Sequence, residues 1–384
     1  MVVHPSTPDL HRWPALPDTE RRVLLELLVH GSLPRVRIAE RLGLSRTSLS
    51  RITRGLIESG LITEGPSLAL GGRGRPAESL HLRSDAAHFV GIKLTAETMY
   101  LVVTDLLAQP VLETSMALHS RDVGEVVALI ASSIRSLGPD LADVAAVGIA
   151  VAGDVTSSPQ GSILHQSNFL GWDAVALGPL VSEATSLHAT VVNDVHALTG
   201  AHHWFGTDGS HRSLVVFGVG AGIGSGVVID GTLHPGTHGR AGRVGHTRIG
   251  GRGRRCENGH VDCTHSFVTI PAIEHNAGVG AGEYTRALAD ARKGNDEALR
   301  AFHDAARALG AVVAESVNAF DPEVVAIMGE GVDMIDLAPE AMYAAMAEFL
   351  EQGDVAEVVV ERPPFAFGLY ARGAAVAAMR EVLS

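Results

Sequence analysis

Apolar positions in the first part of the chain recur at helical spacing. Val23, Leu24, Leu27 and Leu28 fall on one face, with Asp18 or Thr19 as cap and Gly31 as stop. A second short helix fits Val36 to Leu42 and closes at Gly43. Ser45 then caps a third, Arg46 to Ser59, whose Leu49, Ile52, Leu56 and Ile57 face inward. Three helices with a Gly-containing turn between the second and third predict a helix-turn-helix. The sequel predicts a wing: Leu61-Ile62-Thr63-Glu64, a loop with Gly71-Gly72-Arg73-Gly74-Arg75-Pro76, and a returning strand at Ser79 to Leu82.

After Arg83 the pattern changes to alternating strands and helices. Strands are expected at His88 to Leu94, Met99 to Asp105 and Val111 to Leu118, a helix at Asp122 to Leu137, and a buried strand at Val144 to Ala150. A helix at Asp173 to Leu187 and a strand at Ala189 to Val192 complete the order of a ribonuclease-H-like lobe. The second half repeats the theme with Ser213 to Val219, Gly226 to Ile229, helices between Asp296 and Phe320, and strands at Val324 to Met328 and Val355 to Val360. Two lobes predict a cleft between them.

Composition sharpens this picture. A chain of 384 residues that is 46% hydrophobic has material for more than one core. No apolar run approaches the roughly 18 residues of a membrane span, and His4, Pro5, Asp9, His11 and Arg12 interrupt any signal-peptide core. The expectation is a cytoplasmic protein without a membrane partner. Two cysteines argue against a disulfide framework and leave metal binding or simple burial. The net charge is −13, yet residues 1–83 hold 12 arginines against 8 acids, a local +4 that leaves −17 for the remainder. A basic head on an acidic body fits a DNA-binding domain fused to a sensor. Lysine occurs only at Lys93 and Lys293, which reads as compositional bias.

The third helix carries Arg46, Thr47, Ser48, Ser50, Arg51 and Arg54 away from its apolar face, a mixture of base-edge and phosphate chemistry. Arg73 and Arg75 on a glycine-rich tip suit a narrow minor groove. A solvated arginine face is the plainer alternative for the helix alone.

Further on, Asn193-Asp194, the loop Gly220-Ala221-Gly222-Ile223-Gly224, Arg243-Val244-Gly245-His246 and Cys256-Glu257-Asn258-Gly259-His260-Val261-Asp262-Cys263 place a carboxylate, a tight loop and soft ligands within some seventy residues. Asp194 reads either as a helix cap or as an acceptor for ligand hydroxyls. With these motifs in order, residues 88–384 resemble the ROK family of sugar kinases and repressors, and the head resembles that of its repressor branch, the xylose and N-acetylglucosamine repressors.

The resemblance implies an actin-like, two-lobed sugar-kinase fold behind a winged helix-turn-helix. The head takes residues 1–83, the first lobe 84–196 plus 365–384, and the second 197–364 with the cysteine and histidine loop. A C-terminal helix, about Phe367 to Leu383, returns to the first lobe. It further implies ligand contacts at Asn168, Asn193 and Asp194, where Asp194 matches the general base of the family's kinases. The family's phosphate-holding Asp-x-Gly-Gly-Thr is Lys93-Leu94-Thr95-Ala96-Glu97 here, so no ATP and no kinase activity are expected.

The family's structural zinc ligands survive as His246, Cys256 and Cys263, with Asn258 in place of the middle cysteine. His260 is the choice for the fourth ligand, with Asp262 and His265 as alternatives and a metal-free loop still open. Arg243 and His265 replace two glutamates of the sugar pocket, which points to a sugar phosphate or other anionic effector, unless Arg243 turns away to a surface acid. The combined expectation is a sugar-responsive regulator, a repressor of carbohydrate genes, that binds palindromic operator DNA as a homodimer or homotetramer. Its effector contacts are Asn168, Asn193, Asp194, Arg243, His246 and His265, and closure of the cleft changes the spacing of two heads. Two alternatives stand beside it: a sugar kinase with a DNA-binding head, and a ligand-blind regulator whose sensor only oligomerises.

Overall fold

The computed structural model describes residue 13 and residues 16–68, 77–138, 141, 143–158, 161–207 and 210–383. The chain divides into two compact units, residues 1–209 with 370–384, and residues 210–369.

The first unit begins with helices α1 (Asp18–His30), α2 (Arg35–Leu42) and α3 (Arg46–Glu58) and a small sheet of β1 (Leu33–Pro34), β2 (Ile62–Leu68) and β3 (Ala77–Leu82) in the order β1-β3-β2. Gly43 closes α2 in the left-handed region at φ 63°, and the Ser45 hydroxyl caps α3 by accepting from Ser48 N at 3.1 Å. The two-residue β1 was not foreseen. The wing strands exist and run longer than expected, while residues 71–76 lie outside the described residues.

Behind the head, β4 (His88–Leu94), β5 (Thr98–Thr104), β6 (Pro110–Ala117), β7 (Val144–Val151) and β11 (His188–Asn193) form a sheet in the order β11-β7-β4-β5-β6, with α4 (Val123–Arg135) after β6. β4 pairs antiparallel with β5 and parallel with β7. A separate antiparallel sheet of β8 (Asp154–Ser158), β9 (Gly161–Ser167) and β10 (Trp172–Val175) is absent from the sequence reading. It also corrects the helix expected at Asp173 to Leu187, because α5 spans only Leu177–Thr185. Residues 172–175 pair with β9 instead, Ala174 adopts φ 52°, and buried Trp172 donates Nε1 to Arg121 O at 2.6 Å. α6 (Asp194–Ala201) continues into a π-helical turn at His202–Gly206.

The second unit repeats the strand logic. β12 (Leu214–Val219), β13 (Ile223–Ile229), β14 (Thr232–Leu233), β15 (Val324–Met328) and β16 (Val360–Glu361) lie in the order β14-β13-β12-β15-β16. The central strand is again the first in sequence, antiparallel to its successor and parallel to the fourth, so the duplication read from element order is real in topology. The helices are α7 (His265–Val268), α8 (Ile270–Asn276), α9 (Tyr284–Arg292), α10 (Asp296–Phe320), α11 (Met334–Leu337) and α12 (Pro339–Phe349).

Where several helices were expected between Asp296 and Phe320, there is one of 25 residues. Asn295 caps it by accepting from Glu297 N and Ala298 N. The strand expected at Val355 to Val360 begins instead as a 3₁₀ turn, Val355–Glu357, where Asp354 captures Ala356 N at 3.0 Å, and only Val360 belongs to β16.

α13 (Gly368–Leu383) packs its small residues on the first unit's sheet at backbone contact. A Cβ on Gly148 would lie 1.8 Å from Ala374 O, and one on Gly91 1.9 Å from Ala371 O. The end of this helix joins the head: Met379 and Leu383 share one buried cluster with Trp13, Leu24, Leu27, Leu56, Leu80 and Phe89. Gly148→Ala is therefore expected to lift α13 and destabilise the unit by about 1–3 kcal/mol, read as a lower denaturant midpoint. An unchanged midpoint would mean that the helix is not seated as described.

Candidate functional site

On α3, Arg46, Thr47, Ser50, Arg51 and Arg54 are exposed. Ser48 is half-buried, and its hydroxyl accepts from Ser45 Oγ at 2.9 Å, which gives it a place in the helix cap. Other head arginines are tied to acids, Arg35 to Glu64, Arg37 to Glu40 and Arg41 to Glu26. Among the described residues, Arg46, Arg51 and Arg54 have no ion-pair partner. Their positive face is open to a polyanion. Arg73 and Arg75 lie outside the described residues.

Asp194 is the first residue of α6, where β11 ends. The cap itself is Asn193, whose Oδ1 accepts from Val195 N at 3.0 Å and His196 N at 3.2 Å while its Nδ2 donates to Gly153 O at 3.0 Å. Both ends of that amide are committed internally. Asp194 Oδ1 accepts from Val195 N at 2.9 Å, and Oδ2 forms a short ion pair with Lys93 Nζ. The two side chains are only 15% and 5% exposed. Lys93 projects from β4, and its ammonium also lies 5.0 Å from the centroid of the Tyr370 ring on α13.

In the sequence, Lys93 reads only as the loss of a phosphate-holding aspartate and the scarcity of lysine as bias. The structure gives this lysine a partner 101 residues away. Asn168 is exposed in the turn after β9, its Oδ1 accepting from Gln166 Nε2 at 3.2 Å.

In the second unit, the glycine loop is the turn of the β12–β13 hairpin, with Gly220 N donating to Gly222 O at 2.9 Å. It is not the strand-to-helix turn of a dinucleotide site. A Cβ on Gly220 would meet Glu330 Oε1 at 2.1 Å, so a carboxylate lies against this loop, a residue that sequence reasoning missed.

The soft ligands converge. His246, Cys256, His260 and Cys263 place one donor atom each within 4.8 Å of all the others. Cys256 Sγ lies 3.8 Å from His246 Nδ1 and 3.6 Å from His260 Nδ1, and Cys263 Sγ lies 3.7 Å from His246 Nδ1. Tetrahedral bonds of about 2.0–2.3 Å put neighbouring donors about 3.3–3.8 Å apart, so these distances fit a zinc-sized ion. Local turns bring the four side chains together. Gly259, at φ 80°, closes a turn in which its N donates to Cys256 O at 2.9 Å and Cys256 N donates to His260 O at 3.0 Å.

Burial, helped by the neighbouring His260 and His265 imidazoles, holds the His246 pKa below the usual value, which favours the neutral ring that a metal requires. Burial raises that of the Cys263 thiol.

Two alternatives for the fourth ligand are otherwise occupied. Asp262 accepts from Gly253 N at 3.0 Å and Arg254 N at 2.8 Å, which organises the loop. His265 Nδ1 pairs with Glu257 Oε2 at 3.2 Å, and its ring stacks 5.4 Å from that of His246. Glu257 carried no signal in the sequence, because nothing in its spacing tied it to His265. Arg243 is exposed beside this cluster.

Comparison with known proteins agrees with these features. Residues 16–63 match a winged helix-turn-helix DNA-binding family, and residues 89–380 match the ROK family. The chain is 27% identical over 327 residues to the xylose repressor of Caldicellulosiruptor bescii, covering 79% of this chain and 81% of that one. It is 27% identical over 317 residues to the DNA-binding transcriptional dual regulator NagC of Escherichia coli K12, covering 78% and 77%. A crystal structure of a ROK family transcriptional regulator, a homologue of the Escherichia coli MLC protein, superposes with a TM-score of 0.77 over 96% of this chain and 97% of that one at 24% identity. A ROK family glucokinase from Streptomyces griseus, solved with glucose and AMPPNP, superposes with a TM-score of 0.64 over 77% of this chain and all of that one at 22% identity. A winged helix-turn-helix followed by two five-stranded sheets of repeated strand order, with a match to the family over residues 89–380, makes this chain a member of the ROK family.

Proposed function

We propose that this protein is a sugar-responsive transcription regulator, acting as a repressor of carbohydrate genes, that binds double-stranded operator DNA and does not phosphorylate its effector. The open cations of α3 and the names of its relatives support DNA binding. The head is taken as residues 1–83, the first lobe as 84–196 with 365–384, and the second as 197–364. Two-fold operators call for a homodimer or a tetramer built from it. The cytoplasm is the compartment this role requires. Among the described residues, no helix is long and apolar enough to cross a membrane.

The observation that carries the enzymatic half is the Lys93–Asp194 pair. A general base must present an accessible lone pair to the hydroxyl it deprotonates. Here one acceptor site on each oxygen is taken, Oδ2 by the Lys93 ammonium and Oδ1 by the Val195 amide, and the side chain is only 15% exposed, which leaves little of the carboxylate to meet a sugar hydroxyl. Glu330 against the glycine loop and Glu97 after β4 both disfavour phosphate. In a coupled assay with a panel of sugars, no ADP formation above background is expected. Sugar-dependent ADP formation that Asp194→Asn abolishes would establish the kinase reading instead.

The effector is taken to be anionic, a sugar phosphate or sugar acid, because Arg243 and His265 stand where the family has acceptors. Calorimetry should show the phosphate binding at least tenfold more tightly than the parent sugar, and Arg243→Ala should erase the difference. Equal affinities in the wild type would remove the anionic reading. The commitment of Asp194 and Asn193 inside the first unit favours a second reading, a ligand-blind regulator. Fluorescence anisotropy on operator fragments decides it, since such a regulator keeps its DNA affinity whatever compound is added.

For the metal, we infer structural zinc held by His246, Cys256, His260 and Cys263. When bound, zinc cross-links the loop and supplies no chemistry to a ligand. Metal analysis should find one zinc per chain. Its removal by chelation should lower the unfolding temperature of the second unit by several degrees, about 1–2 kcal/mol or more. A zinc-free protein that melts identically would leave the two cysteines as buried small side chains.

A further inference from the structure

Asn258 stands where the family's zinc pattern has a cysteine. It is exposed on the turn between Cys256 and His260, with Nδ2 3.1 Å from His246 Nε2. The other nitrogen of that ring, Nδ1, faces both sulfurs at 3.8 and 3.7 Å. We propose that Asn258 is a positioning residue for the metal: it grips the outer edge of the His246 ring and aims Nδ1 at the ion, while His260 supplies the donor that the missing cysteine would have given. This rests on the zinc reading.

The chemistry of the amide suits the task in both states of the loop. A ring that gives its Nδ1 lone pair to a metal carries its proton on Nε2, so Nε2–H donates and Asn258 Oδ1 accepts. Without the metal, a proton on Nδ1 leaves Nε2 as acceptor, and Asn258 Nδ2 donates. Half a turn of the amide exchanges the two arrangements without moving the backbone. A carboxylate at this position serves only the first and an apolar side chain neither. The replacement also changes charge. Two thiolates neutralise a divalent ion, whereas three leave it at −1, so beside Arg243 this loop is less anionic than the three-cysteine pattern.

The test measures Zn²⁺ and Co²⁺ affinity of the full-length protein by competition with a chromophoric chelator, together with the visible spectrum of the cobalt form. Asn258→Leu, close in shape, is expected to keep one ion per chain and the wild-type cobalt bands while losing about 10–100-fold in affinity, the usual effect of removing an outer partner of a metal-bound histidine. Asn258→Asp, which restores the acceptor, is expected to recover most of that loss with the bands unchanged. His260→Ala should change the bands themselves.

Full affinity in Asn258→Leu would overturn the proposal, and so would altered cobalt bands in that variant, which would make Asn258 a ligand. Coincident melts of the metal-free forms separate either result from misfolding. If the wild type binds neither metal, the zinc reading itself falls, an outcome that no variant is needed to recognise.

Discussion

Replacing Lys93 by alanine is expected to destabilise the first unit by about 3–5 kcal/mol, far more than a surface ion pair would cost. The reason is what the substitution leaves behind. Asp194 is 15% exposed, and its Oδ2 loses the ammonium that compensates its charge. A largely buried carboxylate left with only the Val195 amide keeps most of its desolvation penalty, and the Tyr370 ring loses its cation as well.

Asp194→Ala has the mirror-image effect, because it strands an ammonium that is 5% exposed. The pair Lys93→Met with Asp194→Leu removes both charges, keeps the volume, and is expected to recover most of the loss. A double-mutant cycle on the unfolding transition therefore returns a coupling of several kcal/mol. Salt should move these values little, since buried pairs are weakly screened. A loss of less than about 1 kcal/mol in Lys93→Ala would show that the pair is open to water, and Asp194 would again be free to act as a base.

Lys93 also shows what the sequence could and could not say. Local signals were legible: Ser45 caps α3, Gly43 ends α2, and β4 and β15 have the bounds that alternation and apolar runs gave them. Topology followed from element order, because three strands, a crossover and a parallel return leave few arrangements. Long-range pairings were not legible. Lys93 and Asp194 are 101 residues apart, and a lysine in a motif that lacks its aspartate reads only as a loss. The hairpin from β8 to β10 failed for a related reason, since 172–175 are held by pairing with β9 and not by any pattern of their own. Asn193 was assigned to the ligand on family grounds; its Oδ1 also caps α6, and its Nδ2 reaches Gly153 O, a residue 40 positions back that nothing local ties to it. The convergence of His246, Cys256, His260 and Cys263 was legible because their spacing is local, whereas the internal contacts of Asp262 and His265 required coordinates.

Substituting Arg46, Arg51 and Arg54 together by alanine is expected to weaken operator binding by about a thousandfold at physiological salt. At about 100° per residue these three arginines, with Thr47 and Ser50, span an arc of about 140° on α3, opposite the arc of Leu49, Ile52 and Leu56. Ser48 falls at about 200°, outside the outward arc, which matches its half-buried place in the cap. The substitutions therefore strip one face and leave the Ser45 cap and the buried side chains in place, so the head should remain folded.

The two chemistries on this face separate by salt and by lysine. Each arginine that meets a phosphate contributes about −0.9 to the slope of log K against log salt, and its lysine variant keeps most of that contribution. An arginine that reads guanine through both of its donors loses about 1–3 kcal/mol of discrimination when changed to lysine, while its salt slope stays near the original. Arg37, already paired with Glu40, serves as the control whose alanine variant should change little. If the triple variant keeps both its affinity and its salt slope, α3 is a solvated face and the operator is read by another part of the head. If affinity falls while the slope is unchanged, the three arginines read bases and the phosphates are held elsewhere.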